Sequence, residues 1–234
     1  MQFIRSLLFS IVMLLLTLLV ALVGFTVAPF PVKVRNFFIR FYALLTLAAI
    51  KYICGIRYEV TGTENIGTQA CVVMANHQST WETLAVQAIF PHLSFVVKRE
   101  LLWLPFFGWA LAMLKPIAIN RRSGRNAMQQ VVEQGKDRLD SGIWVVIFPE
   151  GTRTAYGEKA RYKKGGAILA HSSGYNVVPM AHNAGKFWPK KGFLKKPGTI
   201  KVVIGEKIIS NTLTVDEIIE KTEIWIESTK KTLD

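Results

Sequence analysis

The chain has 234 residues, enough for one catalytic domain with an extension, because domains usually contain about 100 to 200 residues. Its 29 Lys and Arg residues against 16 Asp and Glu residues give a net charge of +13, which favours an anionic partner such as lipid headgroups, phosphorylated metabolites or nucleic acid. A hydrophobic content of 50% is more than a soluble nucleic-acid-binding protein normally carries, so the composition favours a membrane surface over nucleic acid.

The first predicted element is an apolar helix from Leu7 to Phe25. These 19 residues carry no charge. At about 1.5 Å per residue, such a helix nearly crosses a hydrocarbon core of about 30 Å. Pro29 and Pro31 end it. The pattern predicts a membrane-embedded helix, and a secretory signal peptide with Arg5 as its basic start is the alternative.

A second apolar segment follows the two prolines. Only ten residues, Phe41 to Ile50, are uncharged between Arg40 and Lys51, and this is too short to span a bilayer. On a helix, Lys33, Arg40 and Lys51 lie within about 40° of one another. The pattern therefore predicts an amphipathic helix with a basic stripe at an anionic interface, and an ordinary core-packing helix is the alternative.

Basic residues flank the first apolar segment on both sides. Arg5 precedes it, Lys33 and Arg35 follow it, and no acidic residue occurs before residue 56. Because loops rich in Lys and Arg stay on the cytoplasmic side, a spanning hairpin with its turn outside is disfavoured. We therefore predict a helical hairpin over residues 1–55 that dips into the cytoplasmic leaflet, followed by a second domain over residues 56–234. One spanning helix is the alternative.

From Gly55 onward, short β-branched runs alternate with helical segments, which is typical of an α/β domain. The predicted strands are residues 57–61, 70–75, 94–97, 116–119, 143–148, 177–180 and 199–204. The predicted helices are residues 79–90, 101–114, 124–139, 165–171 and 215–231. Residues 186–197 (KFWPKKGFLKKP) are predicted to form a basic loop, either solvated or in contact with a membrane.

The segment NHQSTWE, residues 76–82, gives one carboxylate two alternative roles. His77 follows a predicted strand, where ligands commonly bind in α/β folds. Glu82 either orients His77 as a general base or completes a Ser79-x-x-Glu82 capping box. Positions five apart on a helix face about 140° apart, so the pair meets only if His77 precedes the helix. Helix initiation at Ser79 would thus supply the geometry that catalysis needs.

The segment FPEGTR, residues 148–153, also follows a hydrophobic predicted strand. Gly151 lets the backbone approach a ligand, Thr152 offers a donor, and Arg153 can bind a phosphate through two parallel hydrogen bonds. A tight turn held by a Glu150–Arg153 ion pair is the alternative. Lys98 and Arg121 follow two further predicted strands, and a surface charge is the alternative for each of them. Four strand ends that each present a cation or His are nevertheless difficult to explain as solvated faces.

Other chemistries lack support in the sequence. No GxSxG, Walker A, GxGxxG or HExxH motif occurs. His92, His171 and His182 lack a metal-like spacing and are expected to be structural or exposed. Cys54 and Cys71 lie in apolar segments without a metal-binding spacing, which is typical of reduced, buried thiols in a cytoplasm-facing protein.

Together these motifs resemble the glycerolipid acyltransferases, and most closely the 1-acylglycerol-3-phosphate acyltransferase (PlsC-like) family. The matching segments lie in the family's order between Thr61 and Val203: Asn76-His77-x4-Glu82, Lys98–Gly108, Ile119–Arg121, Phe148–Arg153 and Val177–Ala181. The family most often has Asp at the position of Glu82. The resemblance implies an α/β fold with a mixed sheet flanked by helices.

The resemblance also implies transfer of a fatty acyl group from an acyl-CoA or acyl carrier protein thioester to the sn-2 hydroxyl of lysophosphatidic acid, giving phosphatidic acid. His77 would be the general base, assisted by Glu82, and neither a cofactor nor a metal is expected. The residues implied to bind the lysophosphatidate are Lys98, Arg121, Glu150, Gly151, Thr152 and Arg153. Backbone amides near Gly151 or in the His77 turn are candidate donors to the oxyanion.

The expected partners are membrane lipids and not nucleic acid, at a cytoplasmic (in bacteria, inner) membrane with the site facing the cytoplasm. Another lysophospholipid or amino-lipid acceptor is the alternative within this class. A non-catalytic lipid-binding protein is the alternative outside it, and the intact His77 and FPEGTR motifs argue against it.

Overall fold

The computed structural model describes residues 1–120, 123 and 125–233, with only the backbone of Arg125. In that part of the chain the helices are α1 Gln2–Val27, α2 Val32–Cys54, α3 Trp81–Ile89, α4 Phe107–Ala112, α5 Arg125–Asp140, α6 Gly165–Ser173 and α7 Val215–Thr232. The strands are β1 Ile56–Thr61, β2 Val72–Ala75, β3 Leu93–Lys98, β4 Ile117–Ile119, β5 Trp144–Ile147, β6 Val177–His182 and β7 Gly198–Ile204.

These strands form one sheet in the order β1-β7-β6-β2-β5-β3-β4. β6 and β7 pair antiparallel, and the other neighbours pair parallel. The mixed α/β sheet implied by the resemblance is therefore confirmed. Each predicted strand forms, and the central strands β2, β5 and β6 are buried along their whole length, which accounts for their continuous apolar runs.

The predicted helix over residues 101–114 is wrong. A 3₁₀ helix spans Arg99–Trp103, and α4 begins only at Phe107. Between them lies Pro105, followed by Phe106 in the left-handed region with φ of 61°. The chain folds back so tightly that a Cβ at Gly108 would lie 2.4 Å from the Leu102 carbonyl oxygen, so a continuous helix cannot form here.

The N-terminal helices α1 and α2 form a hairpin, and both are long and apolar enough by length and composition to cross a membrane, whereas the sequence pattern predicts that the second is too short to span. α1 nevertheless contacts the α/β domain at both of its ends. Near its start, the rings of Phe3 and Phe193 lie 5.2 Å apart, and near its end those of Phe25 and Trp109 lie 5.1 Å apart. α1 therefore lies along the domain.

The sequence pattern places Arg40 in a basic stripe at an anionic interface. In the structure it bonds the protein instead. Its guanidinium donates to the carbonyl oxygens of Ala88 at 2.8 Å and Phe90 at 3.2 Å. These carbonyls end α3, where the helix dipole favours a positive charge. Arg40 thus fastens α2 to the helix that carries Glu82.

The predicted motifs lie together at the carboxyl ends of the central strands. β2, β5 and β3 are neighbours in parallel register, so their carboxyl ends lie together. His77 follows β2, Phe148 follows β5, and Lys98 is the last residue of β3. Residues far apart in sequence therefore face a common space at this edge.

Candidate active site

His77 and Glu82 form a direct pair. Nδ1 of His77 lies 2.7 Å from Oε1 of Glu82, whose side chain is fully buried. The same carboxylate oxygen accepts the backbone N–H groups of Gln78 at 2.9 Å and Ser79 at 2.7 Å. One oxygen of Glu82 thus both orients the imidazole and ties off the turn before α3, so the two roles predicted as alternatives coexist.

The predicted capping box at Ser79 forms only in part. α3 begins at Trp81 with Thr80 as its N-cap, and Thr80 makes no side-chain capping bond. Oγ of Ser79 accepts the N–H of Trp81 at 3.1 Å instead of the N–H of Glu82. The helix nevertheless starts late enough to leave His77 in the turn, which is the geometry that the pair requires.

The charge of Glu82 determines the tautomer of His77. Burial on its own would raise the pKa of Glu82, but the hydrogen bond with His77, the charges of His182 and His77, and the Ser79 N–H hold it below its usual value. A carboxylate at this position keeps the imidazole proton on Nδ1. Nε2 is then left as an acceptor in the cavity that His77 lines.

The turn after β5 holds His77 from the other side. The Phe148 ring stacks on the imidazole, with 4.1 Å between centroids and 14° between planes. The N–H of His77 donates to Oε2 of Glu150 at 2.9 Å, and the N–H of Thr154 donates to the His77 carbonyl at 2.7 Å. Ring and backbone of His77 are therefore both fixed by the FPEGTRT segment.

Glu150 lies behind the site instead of in its wall, in contrast to the substrate contact implied by the resemblance. It is 4% exposed, and burial raises its pKa to about 7. Among the described residues no ion pair joins it to Arg153, so the predicted Glu150–Arg153 turn pair is absent. The role that its contacts support is to position the His77 backbone.

A cavity of about 860 Å³ opens beside His77. Most of its wall is apolar, and part of that wall comes from the hairpin residues Met13, Thr17, Ile39, Tyr42 and Ala43. The predicted binding residues Lys98, Gly151, Thr152 and Arg153 also line it. Arg121 lies outside the described residues, so its predicted role stays a prediction.

Three further cations line the cavity: Lys190 and Lys191, from the predicted basic loop over residues 186–197, and Lys163, which the sequence pattern does not predict as a site residue. Lys163 passes over Gly151, where φ is +70° and a Cβ would lie 2.7 Å from its Nζ. Gly151 thus serves both the left-handed turn and the approach of this side chain. For Lys163 the sequence offers only a basic run on either side of Tyr162, which is indistinguishable from a solvated surface.

Four of the backbone amides near Gly151 and in the His77 turn, the predicted region of the oxyanion donors, form hydrogen bonds within the protein. The N–H of Gly151 donates to the Phe148 carbonyl at 3.0 Å, and the N–H of His77 donates to Glu150. Gln78 and Ser79 donate to Glu82. These four amides therefore serve the shape of the site.

His182, expected to be structural or exposed, is a fully buried structural residue. Its Nε2 lies 2.8 Å from the Asn76 carbonyl, and its Nδ1 accepts the N–H of Ala184 at 3.2 Å. The Asn76 amide in turn bonds both backbone groups of His182, at 2.9 and 3.0 Å. These hydrogen bonds between Asn76 and His182 fix the end of β2 against β6 immediately before His77.

Comparison with known proteins agrees with this geometry. A family model described as Acyltransferase matches residues 57–183. A 1-acyl-sn-glycerol-3-phosphate acyltransferase of Pseudomonas aeruginosa is 42% identical over 233 residues, which are 97% of this chain and 91% of that protein. The human 1-acyl-sn-glycerol-3-phosphate acyltransferase alpha is 32% identical over 177 residues, which are 74% of this chain and 62% of that protein.

A solved structure shares the fold. The crystal structure of the 1-acyl-sn-glycerophosphate (LPA) acyltransferase PlsC from Thermotoga maritima has a TM-score of 0.81, covering 100% of this chain and 98% of that one at 23% identity. The family match includes both the His77 turn and the FPEGTR segment, and the Pseudomonas relative extends the likeness through the hairpin. The chain therefore belongs to the acyltransferase family and is an acyl-transferring enzyme.

Proposed function

We propose that this enzyme transfers a fatty acyl group from a thioester to the sn-2 hydroxyl of 1-acyl-sn-glycerol 3-phosphate, giving phosphatidic acid. The observation that carries the proposal is that one cavity combines the His77–Glu82 pair, an apolar wall and several cations. A lysolipid offers the matching groups: a hydroxyl, a hydrocarbon chain and a phosphate. The names of the Pseudomonas and human relatives support the same reaction.

In the chemical step, Nε2 of His77 takes the hydroxyl proton as the oxygen attacks the thioester carbonyl. The tetrahedral intermediate then expels the thiolate, which takes that proton back from His77. Glu82, 2.7 Å from Nδ1, stabilises the imidazolium between the two transfers. A base positioned in this way contributes about 10²- to 10⁴-fold to the rate.

Arg153 and Lys98 are the proposed phosphate ligands, with Arg121 added by the family pattern. Arg153 forms no ion pair with a carboxylate among the described residues, so its guanidinium is available for a bidentate contact. Lys98 lies 3.5 Å from Glu100, but its side chain is 45% exposed, and such a pair is weak enough to yield to a phosphate.

We further propose that the hairpin lies in the cytoplasmic leaflet of a membrane. α1 exposes a run of large apolar side chains, which are Leu7, Leu8, Ile11, Leu14, Leu15, Leu19 and Leu22. The opposite face of the hairpin contributes to the cavity wall. In this placement one face of the hairpin contacts acyl chains while the other lines the cavity, which brings the site close to the bilayer that holds the lysolipid.

The test is an acyl-transfer assay on the full chain in mixed micelles. Lysophosphatidic acid and a panel of other lysolipids are offered with acyl-CoA or acyl carrier protein thioesters, and products are identified by mass spectrometry. We expect phosphatidic acid as the main product. Absence of phosphatidic acid with both donors would refute the proposal, and a faster reaction with another lysolipid would reassign the acceptor.

His77→Ala should abolish turnover and leave the near-ultraviolet circular dichroism spectrum intact. His171→Ala is the matched control, because His171 is exposed on α6 and its side chain hydrogen-bonds only the Leu213 carbonyl among the described residues. Turnover by His77→Ala comparable with that of His171→Ala would contradict the assignment of the base.

A further inference from the structure

The loop over residues 186–197 contributes two cations to the active-site cavity. Lys190 and Lys191 are exposed and line the same cavity as His77. Neither side chain forms a hydrogen bond or ion pair with another described residue. Two adjacent, unpaired ammonium groups beside a reaction centre raise the local concentration of anions.

The loop that presents these lysines is anchored firmly. Lys195, 6% exposed, has its Nζ 5.7, 5.4 and 5.0 Å from the ring centroids of Phe9, Trp188 and Phe193. Its backbone N–H donates to Oγ of Ser6 at 2.9 Å, and its Nζ donates to Oγ of Ser10 at 3.2 Å. The loop is thus fixed to the first turns of α1.

The turn itself is compact. A Cβ at Gly192 would lie 2.9 Å from Cγ of Pro189, so the chain between them closes tightly around the two lysines. The backbone N–H of Lys196 donates to the Phe187 carbonyl at 2.8 Å and closes the base of the loop. Lys190 and Lys191 therefore sit on a braced turn, in contrast to lysines on a freely moving surface segment.

The reaction proposed above brings two anionic substrates to His77. The acceptor phosphate is accounted for by Arg153 and Lys98, which follow β5 and end β3 at the sheet edge. The thioester donor carries its own phosphate at the end of the pantetheine arm, both in coenzyme A and in acyl carrier protein. Lys190 and Lys191 form a second set of cations, on the loop over residues 186–197. The phosphate of the thioester donor requires a second set of this kind.

We propose that Lys190 and Lys191 form the donor subsite, binding the phosphate of the phosphopantetheine arm while the thioester carbonyl reaches His77. The inference rests on the proposed function for the identity of the donor. The lysines are binding residues and take no part in proton transfer.

The variant Lys190→Gln/Lys191→Gln tests the subsite. We expect KM for acyl-CoA to rise about 10-fold or more, since each lost charge-assisted contact weakens binding several-fold. KM for lysophosphatidic acid should stay within about two-fold of the native value. With acyl-pantetheine, a donor that lacks the phosphate, native and variant enzymes should have equal kcat/KM.

The matched control is Lys196→Gln/Lys231→Gln, which removes the same charge from exposed positions outside the cavity wall. An equal rise in KM for acyl-CoA in this control would reduce the effect to general electrostatics and overturn the proposal. A rise in KM for lysophosphatidic acid with an unchanged donor KM would assign the lysines to the acceptor instead.

Binding of free coenzyme A, measured by calorimetry on the full chain, separates this inference from the proposed function. The double variant should bind coenzyme A more weakly than the native and control proteins, whether or not phosphatidic acid is formed. Equal binding by all three proteins would refute the subsite even if acyl transfer is confirmed. Acyl carrier protein thioesters are run alongside, and loss of activity with both donors would place the shared phosphate at the lysines.

Discussion

Replacing Glu82 by Gln separates the orientation of His77 from the capping of α3. Gln has the same length and keeps an oxygen that can accept the N–H groups of Gln78 and Ser79, but it carries no charge. What disappears is a charge-assisted hydrogen bond at 2.7 Å from the imidazolium formed in the transition state. Such bonds contribute about 1.5–3 kcal/mol, which corresponds to a loss of about 10- to 150-fold in kcat.

A second effect increases the loss. The Gln amide can donate to Nδ1 and so favour the imidazole tautomer with its proton on Nε2, which is unable to take the hydroxyl proton. In Ser-His-Asp enzymes the equivalent change costs about 10⁴-fold in kcat. We therefore expect kcat to fall by about 10²-fold or more, with KM for both substrates little changed, because Glu82 is fully buried behind His77.

The assay follows coenzyme A release with a thiol reagent, in parallel with thermal unfolding. Glu217→Gln is the control, because Glu217 forms a complete capping box with Thr214 at the start of α7, outside the cavity wall. This control should keep native kcat. If Glu82→Gln keeps kcat within about three-fold of native, then Glu82 is only a helix cap and the reasoning is wrong.

Three further predictions concern the groups around this pair. Arg153→Ala should raise KM for the acceptor by about 10- to 100-fold and leave KM for the donor unchanged, and an unaltered acceptor KM in steady-state assays would refute the phosphate role. Burial raises the pKa of Glu150 from 4.5 to about 7. The folded protein therefore holds this proton more tightly than the unfolded chain does, which stabilises it by about 3 kcal/mol below pH 4.5. That stabilisation is lost as the pH rises through 7. Glu150→Gln should flatten this decline in urea unfolding between pH 5 and 8, and a native-like slope would contradict it. Arg40→Gln should lower the free energy of unfolding by about 2 kcal/mol through loss of the charged bonds to the end of α3, whereas Arg5→Gln, the control, should not.

The sequence predicts the strands well and the long-range contacts poorly, for physical reasons. Buried parallel strands need continuous β-branched runs, which are visible locally, and so β2, β5 and β6 are predicted within two residues of their ends. The prediction of one helix over residues 101–114 is wrong because it rests on the apolar periodicity and ignores Pro105, which interrupts the helix. Pairing of strand ends from different parts of the chain depends on sheet order, which local patterns do not contain.

In the site, too, the local contacts are predicted from the sequence and the long-range contacts are not. His77 and Glu82 are found because their contact is local and follows from helix geometry. Charge patterns are less informative: they place Arg40 at a membrane interface, although it bonds two carbonyls of α3. They also give no reason to distinguish Lys163 from other surface cations. A charged residue's partner is set by tertiary packing, so spacing on its own cannot tell an interfacial cation from a helix cap.

The hairpin is part of the catalytic cavity as well as a candidate membrane anchor. Thr17 of α1 and Tyr42 of α2 share a hydrogen bond of 2.9 Å, and both line the cavity with His77. Arg40 fastens α2 to α3, and Lys195 fastens the basic loop to α1. Because the helices that line the cavity are also the pair proposed to lie in a membrane, a shift of the hairpin would change the shape of the site. We therefore expect that removal of the hairpin would disturb the cavity as well as any attachment to a membrane.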